Sequence, residues 1–160
     1  MGVAQRFYDA MMVRDWYTMG LLYAEHATFS DPVFPILNAK GVRLMWQMLL
    51  SRADEDFGIE VDIQEDTPAR ARVHWTAHYK FSATGRPVSN RISTQMHFAA
   101  GKIVRQQDDF SLWRWSRQAL GIQGALLGWT PIVRNRIREQ AAAALTNFAK
   151  RVAAGQETRR

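Results

Sequence analysis

The chain contains no cysteine. That excludes disulfides, thiolate metal sites and a cysteine nucleophile, and it fits a reducing compartment, so the cytoplasm is the expected location. Long apolar runs are missing too: none reaches the ~18 residues that a membrane-spanning helix needs. The start, Met1-Gly2-Val3-Ala4-Gln5-Arg6, lacks the charged-then-apolar order of an export leader. No proline-, glycine- or serine-rich linker divides the 160 residues, which predicts one core. A glycine-rich phosphate loop, a dinucleotide fingerprint, a Walker motif and a nucleophile elbow are all absent, so chemistry without a cofactor is expected. Two of the four histidines, His74 and His78, share a strand face, but i and i+4 on a strand lie about 13 Å apart. No metal site is expected from them.

What is present is an ordinary globular composition, 47% hydrophobic and 22% charged, which predicts an ordered body. The net charge of +6 is uneven: residues 1–101 carry 10 basic and 11 acidic side chains, residues 102–160 carry 11 and 4. A basic C-terminal third can meet anionic surfaces. A solvated helix face is the blander explanation and the one kept, and no nucleic-acid partner is expected.

Helical spacing of Val3, Phe7, Ala10 and Met11 predicts a first helix, and Asp15 is a suitable N-cap for a short second one. Ala27 to Asp31 reads as a strand stopped by Pro32. Gly41 precedes a third helix with Val42, Met45, Trp46, Leu49 and Leu50 on one face. Ile59, Val61 and Ile63 alternate with polar residues, and a longer strand from Ala71 to Phe81 puts Val73, Trp75, Ala77, Tyr79 and Phe81 opposite Arg72, His74, Thr76, His78 and Lys80. Turns at Gly85 and Gly101 predict hairpins joining strands near 88–98 and 102–112. In the last strand, alternation puts Val104, Gln106, Asp108 and Phe110 on one face and Ile103, Arg105, Gln107 and Asp109 on the other. Residues 112–121 read as a Trp-bearing helix, 124–131 as an apolar connector, and the stretch after Pro131 as an amphipathic helix. Such a helix can dock on the sheet, on a second subunit or on a membrane surface. The expected organisation is an α+β domain over 1–112, a helical extension over 113–152 and a disordered tail over 153–160.

The run Leu22-Tyr23-Ala24-Glu25-His26-Ala27-Thr28-Phe29-Ser30-Asp31-Pro32, Gly41 opening a helix, Tyr79-Lys80-Phe81 before the Gly85 turn, and Met96-His97-Phe98 before Gly101-Lys102-Ile103-Val104 together resemble the nuclear transport factor 2-like superfamily. The likeness is to its ketosteroid isomerase-like and SnoaL-like (polyketide cyclase) branch, over residues 3–112. The resemblance implies a cone-like fold, a curved antiparallel sheet wrapped around N-terminal helices, with an apolar pocket at its open end and homodimers as the usual assembly. It also implies that Asp31, immediately before a proline after the first strand, is the base that shuttles a proton between carbon atoms. Burial beside Phe29, Trp75 and Phe81 would raise its pKa toward a useful value. Asp-Pro is also a common turn pair, so a turn role stays open.

The isomerases add a tyrosine on the first helix and a protonated aspartic acid on a later strand. By alignment Phe7 and Thr94 stand at those positions, so the usual oxyanion donors are expected to be missing; Tyr8 is adjacent but about 100° round the helix. Cyclase-like members carry a catalytic aspartate near the last strand, which implies Asp108 as base or partner of Asp31. A solvated strand end, or a partner for Arg105 or Arg114, is the alternative for Asp108. Phe7, Phe29, Trp75, Tyr79, Phe81, Thr94, Gln106 and Phe110 are the expected ligand-lining residues. The functional expectation is proton transfer on an apolar, carbonyl-bearing ligand, with epoxide hydrolysis as a variant. The other class is a non-catalytic carrier of an apolar ligand, possible at a membrane surface.

Overall fold

A computed structural model describes residues 1–157. Two helices open the chain, α1 (Val3–Met12) and α2 (Trp16–Leu21). Asp15 separates them as expected: its carboxylate accepts from Thr18 N at 2.9 Å, satisfying an orphan N–H of the α2 first turn. Strand β1 (Tyr23–Ser30) starts four residues earlier than its composition suggested, and a two-residue β2 (Leu37–Asn38) leads into α3 (Ala39–Ser51). Asn38, not the glycine, caps α3 by accepting from Gly41 N at 2.8 Å.

Four long strands follow, β3 (Gly58–Asp66), β4 (Arg70–Lys80), β5 (Pro87–Ala99) and β6 (Lys102–Asp109). The sheet is curved and unclosed, in the order β2-β1-β6-β5-β4-β3. Its pairs are antiparallel except β1 with β6, which run parallel. Strict alternation buries Val88, Asn90, Ile92, Thr94, Met96 and Phe98 of β5 on the inner face, and Ile92, Met96 and Phe98 join residues of α1 and α3 in the core. The β6 alternation breaks near its start. His97 pairs with Arg105 but Phe98 with Ile103, so Val104 is an extra residue in β6 and its face assignment slips there. Ile103 is consequently buried on the same side as Gln106 and Asp108, the reverse of what uninterrupted alternation predicts.

The C-terminal part forms α4 (Leu112–Leu120), α5 (Ile122–Leu127), where a connector was expected, and α6 (Pro131–Glu157). Helix α6 packs Ala141, Ala144, Leu145 and Phe148 onto the core. It continues through 153–157, where a disordered tail was expected; residues 158–160 lie outside the described residues. Among the described residues, no helix is long and apolar enough to cross a membrane.

Candidate active site

The inner face of the sheet carries a polar network inside the aromatic core. Thr94 and Asp108 stand directly opposite each other on β5 and β6, and Gln106 lies two residues before Asp108 on the same face. Two hydrogen-bonded relays converge on one carboxylate oxygen. In the first, Trp75 Nε1 donates to Thr94 Oγ1 (2.9 Å) and Thr94 Oγ1 donates to Asp108 Oδ1 (2.8 Å). In the second, Trp46 Nε1 donates to Tyr23 Oη (2.9 Å), Tyr23 Oη to Gln106 Oε1 (2.5 Å), and Gln106 Nε2 to Asp108 Oδ1 (3.1 Å). Asp108 is thus buried and hydrogen-bonded, not part of a solvated strand end. Burial pushes its carboxyl up to about 7, against the two donors, which favour the anion, while the nearby Asp31 charge adds to the rise.

Above this network stands Tyr8 of α1, fully buried, with a hydroxyl that makes no well-formed hydrogen bond, although Thr94 lies near enough to draw its pKa down. Burial first, and the Asp108 charge second, hold its pKa well above the ordinary tyrosine value, so it is a standing O–H donor beside Asp108 and Thr94. Tyr8, about 100° round the helix from Phe7 and so not expected to be a simple substitute for a tyrosine there, nevertheless lies beside the polar network. Both residues are buried, but the Phe7 ring packs edge-on against Tyr23 and Trp46, whereas the Tyr8 ring sits 5.6 Å from Trp75 and brings its hydroxyl to the polar network. A helix closed on two sides by sheet and helix can bury neighbours 100° apart, which a single-stripe reading of α1 does not anticipate.

Asp31 follows Ser30, which pairs with Gln107 on the parallel β6, so it lies beside Asp108, and most of its surface is covered. Its Oδ1 accepts from Val33 N at 2.7 Å and Phe34 N at 2.5 Å, while its own N–H donates to Phe34 O. The turn role suggested by Asp-Pro is therefore real, and it shapes the carboxylate without using Oδ2. Burial raises Asp31 to about 6; the two backbone donors and the Arg138 charge pull the other way and lose. Arg138 arrives from α6, where its Nε donates to Pro32 O at 2.9 Å. Tyr79, whose hydroxyl accepts from Trp115 Nε1 at 2.8 Å, also senses the Asp31 charge, and Phe81 packs edge-on against Trp115 at 5.1 Å.

Thus the expected residues form two groups that meet at Asp31 and Asp108. Asp31, Tyr79 and Phe81 gather at the α4 and α6 end. Asp108, Thr94, Gln106 and Trp75 form the deep network, Phe7 and Phe29 pack on Trp46, and Phe110 packs against the core. Tyr23, Trp46, Trp115 and Arg138 were not anticipated as members. Alternation marks a residue as inward but does not pair it across the sheet, and Arg138 lies too far along the chain for any local signal. A cleft of about 860 Å³ runs between α2, β1, α3 and the end of α6, and one of about 440 Å³ lies on the outer face of β3–β5; neither is lined by Asp31 or Asp108.

The profile of the SnoaL-like domain matches residues 4–106, nearly two thirds of the chain. The chain belongs to the SnoaL-like family. Solved structures agree on the fold. A Catenulispora acidiphila protein of ketosteroid isomerase-like fold, solved with trimethylamine, superposes with a TM-score of 0.58 at 17% identity over 81% of this chain and 97% of its own. IdmH of Streptomyces antibioticus, named as a candidate polyketide cyclase, gives 0.61 at 20% identity over 75% and 96%. An epoxide hydrolase of the LEH-like type from M. tuberculosis gives 0.52 at 17% over 78% and 92%. No curated protein matches the chain in sequence. The SnoaL-like match ends at residue 106, so Asp108, Trp115 and Arg138 lie beyond it.

Proposed function

We propose that this SnoaL-like protein moves a proton on an apolar, carbonyl-bearing ligand, with Asp31 as base and Tyr8 and protonated Asp108 as the donors to the ligand oxygen. The observation that carries this reading is the buried Tyr8 hydroxyl, which makes no well-formed hydrogen bond, beside a carboxyl whose hydrogen bonds from Thr94 and Gln106 both end on Oδ1. A buried hydroxyl left without any partner costs about 1–3 kcal/mol; a bound oxygen would relieve whatever part of that cost the strained approach to Thr94 leaves. In the step, Asp31 takes the proton from the carbon next to the carbonyl. The C–H electron pair becomes the C=C bond of an enolate, and the negative oxygen is held by Tyr8 Oη–H and Asp108 Oδ2–H. Asp31 then returns the proton to a different carbon, or to the same one.

A fully satisfied core and a non-catalytic carrier predict no turnover, so activity decides. With enolisable ketones as substrates, kcat/KM should be bell-shaped in pH, rising as Asp31 ionises near 6 and falling as Asp108 loses its proton near 7; the limits belong to the coupled pair. Asp31→Asn should lose roughly 10² or more of kcat/KM and Tyr8→Phe about 10². Inert wild type, or an equally active Asp31→Asn, removes the base assignment. Hydrolysis of epoxides with no effect on ketones would move the reading to the hydrolase variant.

A further inference from the structure

Helix α5 packs the opposite way from an ordinary amphipathic helix. Its contact face is made of glycine: a Cβ on Gly124 would lie 1.9 Å from Ser116 O, and one on Gly128 2.8 Å from Ser116 Cβ, so both backbones rest directly on α4. The large apolar residues face out instead. Ile122 is 79% exposed, Leu126 66%, Leu127 52%, Trp129 67% and, at the first turn of α6, Ile132 75%. Within eleven residues of sequence this is more exposed apolar side chain than scattered surface hydrophobics account for. The charge along it is mostly of one sign: from Phe110 to Arg138 there is no Asp or Glu, while five arginines are present, and Glu139 is the first carboxylate after them. Arg134 and Arg136 follow the patch directly and are exposed, and Arg117 stacks over the Trp113 ring at 4.8 Å on the neighbouring helix.

We propose that this patch, α5 with the first turns of α6, docks on the surface of an anionic phospholipid bilayer, with Ile122, Leu126, Leu127, Trp129 and Ile132 in the headgroup–acyl boundary and Arg134 and Arg136 on lipid phosphates. Aliphatic and indole side chains beside an unbroken cationic segment are what such an interface selects. A second copy of the chain is a poor occupant, because a self-complementary contact would bring Arg134 and Arg136 of two copies together with only Glu139 of each to offset them. The docking does not depend on the catalytic reading, and its test has no activity readout.

The test is co-sedimentation of the full chain with phosphatidylcholine vesicles, with and without phosphatidylglycerol, at low and high salt. Wild type should partition into phosphatidylglycerol vesicles at least about tenfold better than into phosphatidylcholine, and lose most of that gain in high salt. Arg134→Gln and Arg136→Gln should each weaken it roughly fivefold. Ile122→Ser/Leu126→Ser/Trp129→Ser should weaken binding at least about tenfold at both salt concentrations. Wild type left in the supernatant with phosphatidylglycerol overturns the proposal. So does undiminished binding by the serine variant, or, should that variant misfold, by the double glutamine variant. A wild-type dimer that ignores vesicles and becomes monomeric in the serine variant overturns it in favour of self-association.

Discussion

At Asp108 two effects of opposite sign meet on one carboxyl. Thr94 and Gln106 both donate to Oδ1 and so favour the anion, yet burial outweighs them and the group rests near 7. Because the folded value lies above the unfolded one of 3.8, the fold prefers the protonated carboxyl. Its contribution to stability is whole below pH 3.8 and is lost as pH rises through about 7. From pH 5 to pH 8 this single group should cost roughly 2–3 kcal/mol. Asp108→Asn keeps an oxygen for the two donors and has no proton to lose. Urea unfolding should therefore show the variant falling less than wild type between pH 5 and pH 8, and being the more stable of the two at pH 8. Parallel pH dependences in the two proteins would mean that Asp108 ionises freely in the fold.

At the scale of elements, α4 and α5 show how close approach is built from residues without side chains. Alanine is worth about 1 kcal/mol more than glycine inside a helix, so Gly124→Ala would stabilise a free-standing α5. Here the added Cβ would sit 1.9 Å from the Ser116 carbonyl, far inside contact distance and against backbone, which cannot rotate away. The clash should win: limited proteolysis is expected to cut the variant faster within 121–130, while the β-sheet fragments survive as in wild type. Unchanged cleavage would show that α5 does not rest on α4. That contact was not legible in the sequence, where 124–131 reads as a connector because two glycines break the helical pattern. The strands were legible because one face of each is buried: β4 and β5 follow strict alternation, with Val73, Trp75 and Ala77 inward and His74 and Thr76 outward. β6 was legible only past Val104, since a one-residue bulge leaves no mark in composition. Asp31 and Asp108 could be picked out as carboxylates on an inner face or at a strand end. The Tyr8 hydroxyl could not, because which of two adjacent helical residues meets a strand partner depends on how α1 is rotated against the sheet.

Over the whole molecule, the C-terminal extension is part of the site rather than an appendage to it. Trp115 of α4 holds the Tyr79 hydroxyl, Thr84 Oγ1 bonds Ala119 O at 2.6 Å, and Arg138 reaches back across more than a hundred residues to the carbonyl after Asp31. The guanidinium charge holds Asp31 lower than burial alone would place it. Arg138→Gln removes that charge while keeping a donor that can still meet Pro32 O, so the Asp31 midpoint should move upward from about 6, with no loss of fold. Carboxyl carbon NMR titration of Asp31 measures this directly, without any substrate. If catalysis uses the ionised Asp31, the rising limb of the pH profile should move by the same amount and the bell should narrow from its acid side, leaving the limb set by Asp108 nearer its original place. A midpoint that stays at about 6 in the variant would mean that α6 stands too far from Asp31 to tune it, and the extension would then act on the site through packing alone.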